Sequence, residues 1–270
     1  MTLINSMQAA VIKKDIRGIT ANRRMLSVLI IVPLVMMILV PSSFILTLFL
    51  SPADSPDIAK MAGMLGAEAV YGSGGQDGMR QITFRFILDN ILPLFFLIIP
   101  ITSSSVMAAG AFIGEKEKKT LETLLYCPLP LKEIFTAKIA ASFLVSMVTS
   151  ALSFAVMITV IEAELFFTAG IFAAVGPSWL IMMLLVSPSV TLLCISLIVR
   201  GSAKSRSSEE AQQRSVFLIL PIVLLITGQF TGIMLLSIHL FLAIGLALAL
   251  AALLVLRGSF GKFQYENLLR

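Results

Sequence analysis

Long apolar runs recur along the whole chain and constrain its fold more than any other feature. Several reach roughly 18 residues or more, enough for an α-helix to cross a hydrocarbon core of about 30 Å. Charged residues make up 13% of the 270 residues, whereas soluble domains contain about 25%. We therefore predict an all-α integral membrane protein without a separate soluble domain.

The apolar runs predict six transmembrane helices within a membrane domain over residues 25–256. The predicted spans are about 25–50, 87–113, 138–161, 171–199, 215–229 and 238–256. Between the last two spans, Gln229-Phe230-Thr231 is either a tight turn or a partly inserted connection. The first 24 residues are polar and basic, so they are predicted to be retained rather than cleaved as a signal sequence.

Lysine and arginine lie almost entirely on one side of the predicted spans. Seventeen of the 20 fall within residues 1–24, 114–138, 200–214 and 257–270. The remaining three are in the loop 51–86 and are Lys60, Arg80 and Arg85. Because basic loops face the cytoplasm, we predict a multi-pass plasma-membrane protein with both termini, the charged segment 114–138 and the loop 200–214 inside. The loop 51–86 is then external, and residues 257–270 form a cytoplasmic tail.

Residues 3–20, within the N-terminal segment 1–24, have the spacing of an amphipathic helix. The apolar half carries Ile4, Met7, Val11, Ile12, Ile16 and Ile19, and the polar half carries Lys13, Lys14 and Arg17. A helix of this kind lies along the membrane surface, with its basic side toward anionic lipid headgroups. It serves either as a topological anchor or as a surface for a cytoplasmic partner.

The charged segment 114–138 separates the second span from the third. Residues 114–126 favour a helix with a leucine stripe at Leu121, Leu124 and Leu125. The pairs Glu115/Lys119 and Lys118/Glu122 place opposite charges four residues apart. Pro128 and Pro130 stop this helix, and a second short helix is predicted over 131–138. Two ordered helices that are joined by a rigid break at one membrane face indicate a docking surface.

In this segment, Gly-Glu-Lys-Glu-Lys-Lys-Thr-Leu-Glu-Thr-Leu-Leu is followed by Pro-Leu-Pro-Leu-Lys-Glu-Ile. The pattern resembles the cytoplasmic segment of type-2 ABC exporter permeases, which has a Glu-rich stretch, Thr-Leu-Glu, Leu-Leu, a proline and a helix ending in lysine. The connection Arg-Ser-Ser-Glu-Glu-Ala-Gln-Gln-Arg at 206–214 also resembles that family. The resemblance extends to the amphipathic N-terminal helix, the six spans and the long first external loop.

The resemblance implies a permease subunit that couples ATP hydrolysis by another subunit to efflux. The chain contains no Gly-x-x-x-x-Gly-Lys-Ser/Thr, so ATP and Mg²⁺ would be bound by a cytoplasmic ATPase partner. The coupling segment 114–137 would contact that partner, with Pro128 and Pro130 as its structural break. The implied contact residues are Glu115, Lys118, Thr120, Leu121 and Glu122. Two permeases, identical or related, would form the transporter in contact with membrane lipids.

Other function classes find less support in the residues. A membrane-embedded enzyme needs a nucleophile, an acidic pair or a metal constellation at membrane depth, and none is recognisable, so no catalytic or metal-binding residue and no nucleic-acid partner is predicted. An ion-driven transporter usually carries charged residues near the membrane midplane, and the cores of the predicted spans contain none. A non-transporting anchor or assembly factor of the same fold is the remaining alternative. In the second span, the hydroxyl run 102–105 either supports helix packing or lines a translocation path or a dimer seam. The apolar span interiors are equally consistent with drugs, lipids, peptides or ions as cargo.

Overall fold

The computed structural model is helical in every regular element of its described part, which comprises residues 6–50, 63, 76–117, 130–170, 172, 176–202, 205, 207–230 and 238–260. The α-helices are α1 (Ser6–Thr20), α2 (Arg23–Leu50), α3 (Gln76–Phe86), α4 (Leu92–Phe96), α5 (Ile98–Glu117), α6 (Leu131–Ala169), α7 (Pro177–Ile181), α8 (Ser187–Gly201), α9 (Ser208–Ser215), α10 (Ile219–Phe230) and α11 (Ile238–Phe260). A π-helical segment joins α3 to α4 (Ile87–Ile91) and another joins α7 to α8 (Met182–Val186). A 3-10 turn, Val216–Leu218, lies between α9 and α10.

Five described helical stretches are long and apolar enough to cross a membrane. They are Met25–Leu50, Arg80–Glu117, Lys132–Thr168, Pro177–Gly201 and His239–Gly258. The predicted span 215–229 corresponds mainly to α10, which has 12 residues. At 1.5 Å per residue α10 reaches only about 18 Å, less than the hydrocarbon thickness of about 30 Å. The prediction of an all-α multi-pass membrane protein is therefore confirmed, whereas the count of six spans is not.

The helix α6 is much longer than a membrane is thick. Its 39 residues correspond to about 58 Å, roughly twice the hydrocarbon core. Pro130 precedes it in an extended conformation, and Gly170 ends it with φ 65°, in the left-handed region that favours glycine. Residues 131–138 are thus not the separate short helix that the sequence predicted. They form the first two turns of α6, because no helix-breaking residue separates them from the rest.

The helical stretch Arg80–Glu117 occupies the middle of the bundle. In its most apolar window 83% of the residues are buried, compared with 28% for the windows in α2 and α6 and 17% in α11. The helix α5 packs against α6, α8 and α9. The outer helices instead expose large apolar side chains such as Leu39, Leu152 and Leu254, which suits them for contact with lipid.

Each π-helical segment ends two residues before a proline, Pro93 in the first case and Pro188 in the second. Since proline has no backbone N–H, a widened turn accommodates the missing helical hydrogen bond. In the first segment, the Leu88 carbonyl lies five residues before Pro93 and accepts a hydrogen bond from Trp179 Nε1 at 2.9 Å. The ring of Trp179 also packs edge-on against Phe96, with centroids 5.8 Å apart. This buried indole ties α7 to the middle of the bundle.

The N-terminal helix α1 packs mainly against α6, with further contacts to α2 and α5. Val11 is buried in that contact, whereas Lys13 and Lys14 are exposed. Asp15 lies four residues after Val11, so it shares the inward face and is buried as well. The amphipathic helix predicted from the sequence therefore carries a carboxylate into the bundle of the same chain.

Candidate functional site

Four ionisable side chains meet where α1, the end of α5 and the start of α6 come together. We call Lys14, Asp15, Glu115 and Lys138 the charge cluster. Lys138 Nζ lies 3.1 Å from Glu115 Oε2 and 3.6 Å from Asp15 Oδ2. Lys14 Nζ donates a hydrogen bond to Glu115 Oε1 at 2.6 Å. Two cations face two carboxylates, so the formal charges of the cluster balance.

Lys138 is the centre of the charge cluster. Its side chain is only 4% exposed, and Nζ also donates to the Ala111 carbonyl at 2.6 Å. The ammonium lies 5.8 Å from the centroid of the Phe112 ring, within the range of a cation–π contact. Lys138 Nζ thus donates to a carbonyl of α5 and forms ion pairs with Asp15 and Glu115. Lys138 therefore joins α6 to both α1 and α5.

Burial raises the pKa of the Asp15 carboxyl above its ordinary value of 3.8. The Lys138 ammonium acts in the opposite direction, and the Glu115 carboxylate adds to the rise of this pKa. The folded chain therefore binds a proton at Asp15 more tightly than the unfolded chain does. The stabilisation gained from that proton is present at low pH and is lost as the pH rises through the raised pKa.

We expect Asp15→Asn to remove one component of the pH dependence of stability. Asparagine does not titrate, so the stability of the native chain relative to the variant should fall as the pH rises above 3.8, the ordinary pKa of the carboxyl, and through its raised pKa. Thermal unfolding of both proteins in the same detergent measures this difference. Glu133→Gln, on α6 but outside the charge cluster, is the control. Equal slopes for the native chain and Asp15→Asn would contradict the assignment.

A second carboxylate at the end of α5 holds the connection between the fourth and fifth predicted spans. Glu117 Oε1 accepts a hydrogen bond from the Ser208 N–H at 2.8 Å, and Oε2 accepts one from the Ser208 hydroxyl at 2.7 Å. These bonds satisfy a donor at the first turn of α9, where negative charge is favourable. Ser207 Oγ caps the same turn by accepting from the Glu210 N–H at 3.1 Å. The last turn of α5 is thus attached to α9 as well as to α1 and α6.

The described residues include only part of the contact surface implied by the family resemblance. Lys118, Thr120, Leu121, Glu122 and Pro128 lie outside them. Pro130 is described and is exposed directly before α6.

Glu115 is 7% exposed, and its carboxylate contacts Lys14 and Lys138 of the same chain. Its contact with an ATPase subunit stays a prediction.

Sequence reasoning did not identify Asp15, Glu117 or Lys138 as site residues. Asp15 is the one acidic residue within residues 1–24, and its spacing from Val11 placed it on the apolar face. Lys138 is a cation at the start of a long apolar run. Asp15 and Lys138 are each unusual in charge for their local sequence, but their partners come from distant parts of the chain.

The chain was also compared with known protein families, curated proteins and solved structures. The chain matches the family model described as ABC-2 family transporter protein over residues 9–240. That range contains the charge cluster, the Glu117–Ser208 contact and the segment 118–129 between α5 and α6. Comparisons with curated proteins and with solved structures found no match. Because the family match covers most of the 270 residues, the chain belongs to the ABC-2 family of transporter proteins, as a membrane permease.

Proposed function

We propose that this permease is the membrane subunit of an ATP-driven exporter and that a separate cytoplasmic ATPase subunit docks on the segment 118–129. The supporting observation is that Glu115 and Glu117, immediately before this segment, connect α5 to α1, α6 and α9. The chain has no Gly-x-x-x-x-Gly-Lys-Ser/Thr motif. In this proposal, ATP and Mg²⁺ are therefore bound by the partner.

The charge cluster gives the proposal its mechanism. The segment 118–129 connects α5 to α6, and the Glu115–Lys138 ion pair joins the same two helices. A partner that displaces the segment would therefore move both helices together. Lys14 and Asp15 would carry α1 with them, and Glu117 would carry α9. Rigid-body movement of packed helices is an established type of switching transition, and here it would change the side to which a transport cavity opens.

The proposed orientation places the charge cluster and both termini in the cytoplasm, with the permease in the plasma membrane. The distribution of basic residues supports this orientation, since 17 of 20 lie in segments on that side of the predicted spans. Two permeases, identical or related, would pair with two ATPase subunits. Each permease chain has a mass of 29.2 kDa, so the mass of the purified complex reports the number of copies.

We expect the permease to co-purify with an ABC-type ATPase, and an ATPase encoded by a neighbouring gene is the first candidate to test. The tagged permease and the untagged ATPase are co-expressed and purified in mild detergent. The expected result is an equimolar complex whose ATP hydrolysis is faster than that of the ATPase alone.

An ATPase variant lacking its Walker lysine is the control, because it should bind the permease without hydrolysing ATP. Failure of the permease to retain the native ATPase in detergent and in lipid nanodiscs would overturn the assignment of that ATPase as the partner.

A further inference from the structure

A cavity of about 690 Å³ lies between the first turns of α2, the face of α5 and the start of α9. We call it the α2–α5–α9 cavity. Its lining combines polar residues with an apolar wall and includes Val28 of α2, Thr102, Ser105 and Glu117 of α5, and Glu209 of α9. The volume falls within the range of about 300–1,000 Å³ that is usual for small-molecule sites.

The cavity extends deep along α5. Glu117 and Thr102 both line it, and their separation of 15 positions corresponds to about 22 Å along a helix. A hydrocarbon core is about 30 Å thick. The cavity therefore reaches from the end of the bundle that holds the charge cluster into the depth of the membrane. A cavity of this shape suits a translocation path as well as a binding site.

Ser105 provides an internal sign of a ligand. Its side chain is 4% exposed, and its hydroxyl has no hydrogen-bond partner among the described residues. The preceding hydroxyls of Thr102, Ser103 and Ser104 donate to carbonyls of their own helix. A buried hydroxyl left without a partner costs about 1–3 kcal/mol. A polar group inside the cavity would remove this cost.

The lining selects the charge of the ligand. Among the residues that the structure describes, it contains the carboxylates Glu117 and Glu209 and the amides Asn22, Gln212 and Gln213. Met25, Val28 and Val106 form an apolar wall on the membrane side. A compact organic cation would place its charge near the carboxylates and its apolar groups against this wall.

We propose that the α2–α5–α9 cavity binds amphipathic organic cations and loads them for export, a role that rests on the function proposed above. In this assignment, Thr102 and Ser105 lie along the path. The hydroxyl run 102–105 then has two parts: Ser103 and Ser104 serve helix packing, and the other two face the ligand.

Tetraphenylphosphonium and tetraphenylborate provide a direct test, because they have similar size and opposite charge. Each is titrated into purified permease in nanodiscs of zwitterionic lipid, and binding to empty nanodiscs is subtracted. We expect saturable binding of tetraphenylphosphonium at least tenfold tighter than that of tetraphenylborate. Absence of saturable cation binding, or equal affinity for the two ions, would overturn the proposal.

Two pairs of variants locate the site. Val28 is 37% exposed and lines the cavity, whereas Val35 is 42% exposed on the same helix and does not. Val28→Trp should weaken tetraphenylphosphonium binding at least tenfold, and Val35→Trp should leave it unchanged. Glu209→Gln should weaken binding about threefold or more, while Glu210→Gln, at an adjacent position outside the lining, should have no effect.

Equal effects within either pair would refute the location. Since an ATPase does not take part in this measurement, a negative result here leaves co-purification with the partner intact, and the two proposals fail separately.

Discussion

Lys138→Met is expected to destabilise the permease by about 3–5 kcal/mol, the usual effect of removing one partner from a buried ion pair. The substitution leaves the carboxylates of Asp15 and Glu115 buried without their shared cation. It also removes the donor to the Ala111 carbonyl. Equilibrium unfolding in detergent should show the change, accompanied by faster proteolysis of α1 as it detaches from α6.

Lys132→Met is the matched control, because Lys132 is exposed on the first turn of the same helix. Exposed substitutions of this kind usually change stability by no more than about 0.5 kcal/mol. Combining Lys138→Met with Asp15→Asn should recover part of the loss, since one buried carboxylate is then neutral. Equal stability of the Lys138→Met and Lys132→Met variants would refute a structural role for the charge cluster.

Leu121→Asp combined with Glu122→Lys is expected to abolish ATP-driven transport while the permease stays folded. Both residues belong to the predicted ATPase contact. Loss of a single interface hot spot costs about 2 kcal/mol or more, equivalent to about 30-fold in affinity. Affinity for the ATPase in nanodiscs and ATP-dependent transport in vesicles should fall together, and the unfolding transition of the isolated permease should stay in place.

Arg85→Glu is the control for that experiment, because Arg85 is an exposed charge on α3 and is predicted to lie on the other side of the membrane. It should preserve both ATPase binding and transport. If the Leu121/Glu122 variant binds and transports like the native permease, the segment is not the docking site. Reversal of Glu115 would be a poor test, since a third cation beside Lys14 and Lys138 would disrupt the fold itself.

The long apolar helices were predictable from the sequence because their signal is local. The run 139–161 contains no charged residue and can be interpreted as a span without reference to the rest of the chain. Pro93 and Pro188 are likewise visible in the sequence as residues that interrupt helical hydrogen bonding. Whether a π-helical segment forms before such a proline depends on donors from neighbouring helices that bind the backbone carbonyls left without a helical partner. Trp179 donates to the Leu88 carbonyl in this way.

The role of Glu115 could not be predicted from its neighbours in the sequence. Its charged surroundings indicated an outward-facing helix, but Lys14 lies 101 positions away along the chain and Lys138 lies beyond the intervening segment. Burial of a carboxylate depends on partners that only the tertiary fold brings together. The apolar helix α10 posed the opposite problem, because its composition resembles a span although its length is insufficient.

Trp179 is the single tryptophan of the permease, and its position makes it an intrinsic optical probe. Its indole N–H binds the Leu88 carbonyl, and its ring packs against Phe96 and Phe154, which belong to two other helices. Rearrangement of α6 or α7 around the centre of the bundle would change the polarity and hydrogen bonding of the indole. Excited at the red edge of the tryptophan absorption, where the three tyrosines of the chain absorb little, the unlabelled permease would therefore report helix motion during ligand binding through the fluorescence of one residue.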